Sequence, residues 1–243
     1  MTFDPDPTSS ATAGQDHDID HGYDELLAGQ LARMSRDLYQ RGWMPGTSGN
    51  LSARLPGQDG HALITASGRD KGDLTAADLV VVRAHTGKTL RQGPLRASAE
   101  TSIHAAVYRS TAAGAVIHVH APHATAVASR TGGAQVAPLL LERFELLKGL
   151  GLADPSHTEL PVFPNWPQVP RIADDVAAYL AANPQAPPGL LIADHGITAW
   201  GSDLAQARNH LECLEAVCQL LLLGARPAIA PATAAAETKG EPS

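Results

Sequence analysis

Two histidines one residue apart, His118 and His120, end the run Gly114-Ala115-Val116-Ile117-His118-Val119-His120. Residues 115–119 are apolar and β-prone, with Gly114 and Pro122 punctuating the ends, so the run predicts a short buried strand. Side chains alternate across a strand, which puts both imidazoles on one face and within reach of a single metal ion. His195 offers a third nitrogen from the turn Ala193-Asp194-His195-Gly196, held between the apolar runs 190–192 and 197–201. Three neutral imidazoles form the ligand set of a catalytic zinc site that keeps a position open for water or substrate. Cys213 and Cys218, which could close a structural site, both fall on the last expected helix.

A metal used as a Lewis acid polarises a carbonyl, and a nearby carboxylate can then move protons. Glu100, Glu142 and Glu145 are the candidates. Each has a second explanation. Glu100 falls in the first turn of an expected helix, where the dipole favours an acid. Glu142 and Glu145 sit in the apolar run 138–151 and could equally face solvent from a short helix. Two loops rich in small and polar residues, Pro45-Gly46-Thr47-Ser48-Gly49-Asn50 and Ala66-Ser67-Gly68-Arg69-Asp70-Lys71-Gly72, suit either an oxyanion or a tight turn.

The elements that must position these residues follow from periodicity. Leu27, Leu31, Met34 and Leu38 recur at helical spacing before Gly42, which predicts an amphipathic helix over about 23–41. Strands are expected at 51–55, 62–65, 79–83, 190–192 and 197–201, with an edge strand at 160–164, where proline is tolerated. Ser98 is a reasonable N-cap for a helix over about 99–109. Pro122 suits the first turn of the next helix, on which His123 points away from the strand pair. Residues 171–180 predict a further helix. Asp203, with Gln206 three residues on, caps a long last helix that carries His210 as an ordinary helical residue. His61 and His85 fall beside turns and read as solvated. Residues 1–22 and 225–243 lack the large apolar side chains that repay ordering and are expected to be tails, leaving one domain over 23–224.

Composition sets the outer limits. The chain has 243 residues, of which 44% are hydrophobic, and a net charge of −7 from 18 basic and 25 acidic side chains. That supports a packed core and argues against a nucleic-acid surface. No apolar run reaches the roughly 18 residues of a membrane span. The amino terminus lacks the pattern of a secretion signal, so a cytoplasmic protein with reduced thiols is expected.

The succession Thr47-Ser48-Gly49-Asn50, Thr65-Ala66-Ser67-Gly68, Ser98-Ala99-Glu100, His118-Val119-His120 and His195-Gly196 resembles the class II aldolase/adducin family over about residues 23–224. The resemblance implies a three-layer α/β/α domain with a central, mostly antiparallel sheet, and a homotetramer with active sites between subunits. It also implies one Zn2+ per subunit on His118, His120 and His195, and a substrate phosphate held by Asn50, Ser67, Gly68 and Ser98. Aldolases of the family often carry two serines before the glutamate. Here Ala99 replaces the second. Within the family, Ser67-Gly68-Arg69-Asp70-Lys71-Gly72, the run Glu145-Leu146-Leu147-Lys148-Gly149 and His195 to Gly201 are most similar to a dehydratase branch acting on a ketose 1-phosphate. That resemblance places the acid/base on Glu145, with Glu100, the aldolase acid/base position, in a secondary role. An aldolase or epimerase acting on another ketose phosphate, and a non-catalytic adducin-head-like binding module, are the alternatives.

Overall fold

The computed structural model describes residues 21–58, 60–90 and 93–224. The two expected tails lie outside the described residues, apart from residues 21–22, which belong to the first helix. Eight strands form one sheet: β1 (Asn50–Arg54), β2 (His61–Thr65), β3 (Leu79–Arg83), β4 (Ala115–Val119), β5 (Ala137–Glu142), β6 (His157–Phe163), β7 (Gly189–Ile192) and β8 (Gly196–Gly201). Their spatial order is β3-β2-β1-β4-β8-β7-β6-β5. Among the described residues, only β6 and β7 run parallel. Among the described residues, five α-helices cover the sheet: α1 (His21–Gln40), α2 (Thr101–Ser110), α3 (Pro122–Thr131), α4 (Val169–Ala182) and α5 (Leu204–Leu222).

Two apolar clusters, one per face, make the three layers. Leu31 and Leu38 of α1, Ala124 of α3 and Leu211 and Leu214 of α5 pack with Ile117 and Val119. Ile103 and Val107 of α2 and Ile172 and Val176 of α4 pack with Val116 on the opposite side. This is the expected α/β/α domain with a mostly antiparallel sheet. β4 lies at its middle, and all five of its residues are buried. A strand covered on both faces reads as a continuous apolar run, so a histidine within it stands out.

The observed elements depart from expectation in three places. Residues 137–142 form a strand that was not expected and that carries Glu142, while Glu145 does lie on a short helix, the 3-10 element Glu145–Leu150. This added strand makes β5 the sheet edge, so β6 is an interior strand. Its Pro161 faces Pro138 of β5, just before pairing with β7 begins at Val162. Proline is tolerated there because the lost amide falls where the neighbouring ladder is short. Finally, α2 starts at Thr101, and Glu100 is its N-cap residue. The Ser98 carbonyl accepts from the Thr101 amide at 3.2 Å and closes a turn that moves the helix start two residues on.

Candidate metal centre

Strand register builds the centre. His118 of β4 lies opposite Asn50 of β1 on one side and Thr198 of β8 on the other. Its Nδ1 is 2.9 Å from Thr198 Oγ1, which leaves Nε2 to face the cluster. His120 follows the end of β4, and its amide donates to the Trp43 carbonyl at 2.9 Å. His195 sits in the β7–β8 turn beside Asp194, whose φ of 54° reverses the chain. The three rings pack mutually, with centroids 4.8–5.3 Å apart.

Two glycines make this closeness possible. A Cβ on Gly196 would stand 2.3 Å from the Val119 carbonyl oxygen, so any other residue would push the His195 turn away from β4. Gly49 has φ +76°, and a Cβ there would meet Met44 at 2.5 Å and the His118 carbonyl at 3.1 Å. The first donor-rich loop is therefore shaped to pass behind His118.

Glu100 completes the group. Its Oε1 is 2.7 Å from His195 Nε2 and its Oε2 3.5 Å from His118 Nε2. One donor atom from each of Glu100, His118, His120 and His195 lies within 4.8 Å of the others. His118 Nε2 and His195 Nδ1 are buried without hydrogen-bond partners. Unpartnered ring nitrogens in a dry site are costly unless something accepts their lone pairs. The cluster can hold a metal ion, and three imidazoles with one carboxylate suit a first-row divalent cation.

Burial sets the charge state. It pushes His118 down to about 4 and also lowers His120, so both imidazoles are neutral at neutral pH and free to offer a lone pair. Burial alone would raise the Glu100 carboxyl. At the acid pH where the group would titrate, the pull of the neighbouring His118 and His195 rings and the hydrogen bonds from His195 and Asn50 outweigh it and hold the carboxyl below the usual carboxylate range. His104, buried on α2, is pushed down to about 3. Both buried histidines have folded pKa values below their ordinary 6.5, so the unfolded chain takes up protons that the folded chain refuses. Their contribution to stability is present above pH 6.5 and lost as pH falls towards 4 and then 3. The melting temperature of metal-free protein should accordingly drop across that window. A flat profile from pH 7 to 4 would contradict the buried neutral pair.

The other expected site residues fall in different places. Ser67 and Gly68 are exposed and line a groove of about 400 Å³ with Arg69 and Arg96. Arg96 is a cation that sequence reasoning did not single out, because nothing in residues 91–97 repeats or alternates. Ser98 Oγ accepts the Glu100 amide at 3.4 Å. Asn50 is buried, and both ends of its amide are engaged by Glu100 and His104 rather than turned to solvent. Lys71, fully buried, donates to the Thr47 carbonyl at 2.9 Å and the Arg69 carbonyl at 2.8 Å, which ties the two donor-rich loops together.

Glu145 lies outside the cluster. Its side chain is 82% exposed and pairs with Lys148 at 2.8 Å. Its neighbour Leu146 lines a groove of about 690 Å³ with Trp43, whose carbonyl holds the His120 amide. His123 points away as expected and pairs with Glu215 at 2.8 Å. His210 bonds the Trp200 carbonyl. His61 is less solvated than expected, since its Nδ1 is buried without a partner.

Comparison with known proteins bears on the same stretch. The model of the class II aldolase and adducin N-terminal domain matches residues 29–222. A Nocardia farcinica protein named probable bifunctional methylthioribose-1-phosphate isomerase/methylthioribulose-1-phosphate dehydratase is 50% identical over 235 residues. The alignment takes in 95% of this chain but only 42% of that protein, so the chain spans less than half of its length. A methylthioribulose-1-phosphate dehydratase of Sorangium cellulosum is 44% identical over 81% of this chain and 92% of its own. The crystal structure of YgbL from Klebsiella pneumoniae superposes with a TM-score of 0.69 at 28% identity, covering 84% of this chain and 91% of that one. The chain therefore belongs to the class II aldolase and adducin family.

Proposed function

We propose that the chain is a lyase, a methylthioribulose-1-phosphate dehydratase. It removes water from 5-methylthioribulose 1-phosphate to give 2,3-diketo-5-methylthiopentyl 1-phosphate, a step of methionine salvage. The observation that carries this proposal is the cluster of Glu100 with three histidines, in a chain that covers 92% of a relative bearing that name. Zinc, one ion per chain on His118, His120 and His195, a homotetrameric assembly and a cytoplasmic location belong to the same proposal. Among the described residues no helix is long and apolar enough to cross a membrane.

A bound zinc ion would supply Lewis-acid polarisation of the C2 carbonyl, which acidifies the neighbouring C3–H. The chain's residues do the rest. Glu100, ionised and acceptor-only, takes the C3 proton. Glu145, once protonated and released from its pairing with Lys148, gives a proton to the C4 hydroxyl as it leaves as water. The C3 enol then collects a proton at C4 and becomes the second ketone, so the elements of one water molecule are lost. Asn50, Ser67, Gly68 and Ser98, with Arg69 and Arg96 nearby, hold the phosphate and supply the orientation that makes the transfer unimolecular.

Purified protein supplied with zinc should convert the substrate to a product absorbing as a 1,2-diketone and 18 mass units lighter. Two smaller fragments would point to aldol cleavage, and unchanged substrate would remove the assignment.

A further inference from the structure

The first layer of the cluster rests on a buried polar chain that alternates between one helix and one strand. Glu100, His104 and Tyr108 follow one another at i, i+4 and i+8, so they share a face at and beyond the start of α2. Asn50 and Ser52 are two apart on β1 and share the face turned to that helix. The side chains interleave. Tyr108 Oη is 2.7 Å from Ser52 Oγ, Ser52 Oγ is 2.7 Å from His104 Nδ1, and His104 Nε2 is 2.6 Å from Asn50 Oδ1. Asn50 Nδ2 then donates to Glu100 Oε2. His104, Asn50, Ser52 and Tyr108 are all buried.

Only one pattern of donors satisfies every bond. A carboxylate accepts only, so the Asn50 amide must turn its NH2 to Glu100 and its oxygen to His104. That oxygen needs a donor, so His104 carries its proton on Nε2 and accepts from the Ser52 hydroxyl at Nδ1. Ser52, having given its hydrogen, accepts from Tyr108. We propose that His104, acting through Asn50, is a positioning residue that fixes the rotamer of Glu100 against His118 and His195. The proposal rests on the dehydratase reading for its kinetic readout and on the metal site for its second one. Such outer partners commonly change metal affinity or activity by about 10- to 100-fold.

A double-mutant cycle tests it. Wild type, His104→Phe, Glu100→Gln and the double variant are compared as full chains, for zinc affinity and for kcat of the zinc-loaded protein. His104→Phe should weaken both by about tenfold or more, and the loss should vanish in the Glu100→Gln background. Losses that multiply would mean His104 only supports the fold, and would overturn the proposal. If His104→Phe fails to fold, Ser52→Ala carries the same cycle, because it removes the Nδ1 donor at little cost in packing. Its loss should likewise disappear with Glu100→Gln, and a multiplying loss is again fatal. Wild-type protein that binds zinc yet releases no water would refute the dehydratase reading alone and leave the zinc-affinity arm to decide the relay.

Discussion

Replacing His118 by alanine is expected to abolish stoichiometric zinc binding and to lower turnover by about a thousandfold or more, equivalent to roughly 4 kcal/mol in the barrier. His118 contributes a nitrogen kept neutral by burial, oriented by Thr198 and left without a partner on the cluster side. Its neighbours on β4, Ile117 and Val119, are apolar residues held in the core and offer no replacement ligand. Metal content of the purified variant, measured beside its circular dichroism, checks the prediction. Folded His118→Ala that keeps one zinc per chain and wild-type turnover would remove the metal centre from the mechanism. The substitution also leaves the Thr198 hydroxyl facing a small cavity, and the accompanying loss of stability should be about 1–3 kcal/mol.

The second large effect separates the two glutamates. Glu100→Gln keeps the shape of the side chain but removes the charge that faces His195 at 2.7 Å. Loss of a proton-transfer group typically costs 10²- to 10⁴-fold, and we expect kcat to fall in that range, with zinc affinity falling too because the carboxylate belongs to the donor group. Glu145→Gln should also lower kcat by about a hundredfold, but with zinc affinity and melting temperature unchanged, since its side chain stands in solvent. An exposed i,i+3 pair such as Glu145–Lys148 contributes almost nothing to stability. Turnover in Glu145→Gln within a factor of two of wild type would reduce that carboxylate to a surface residue and leave Glu100 to handle both proton transfers.

Legibility in the sequence differed by residue for physical reasons. His118 and His120 were visible because polar side chains interrupt a run that is otherwise apolar, and a strand's alternation places them on one face. His195 was visible because the short apolar runs and Gly196 around it predict rigid flanking strands. The helix start at Thr101 was missed because Ser98 and Glu100 are both competent near a cap, and the choice depends on a turn closed by the Ser98 carbonyl. The strand at 137–142 was hidden by Pro138 and Glu142, which are tolerated because β5 is the sheet edge. His104 escaped notice altogether. On an amphipathic helix a single histidine carries no signal until its spacing from Glu100 and Tyr108 is set against that of Asn50 and Ser52.

By itself, the sequence determined the kind of chemistry, since three imidazoles, two donor-rich loops and a few carboxylates limit what the chain can bind and move. It also determined the central strand, the apolar faces of the helices and the family. Only the tertiary structure decided which carboxylate meets the histidines and that Asn50 stands between that carboxylate and His104. Both depend on register: Asn50 lies opposite His118 across two antiparallel strands, and Glu100 is delivered by a helix that packs over them. Local periodicity specifies a face, but the partner on that face comes from a strand roughly 50–70 residues away in the chain, and long-range pairing of that kind is written in no single segment.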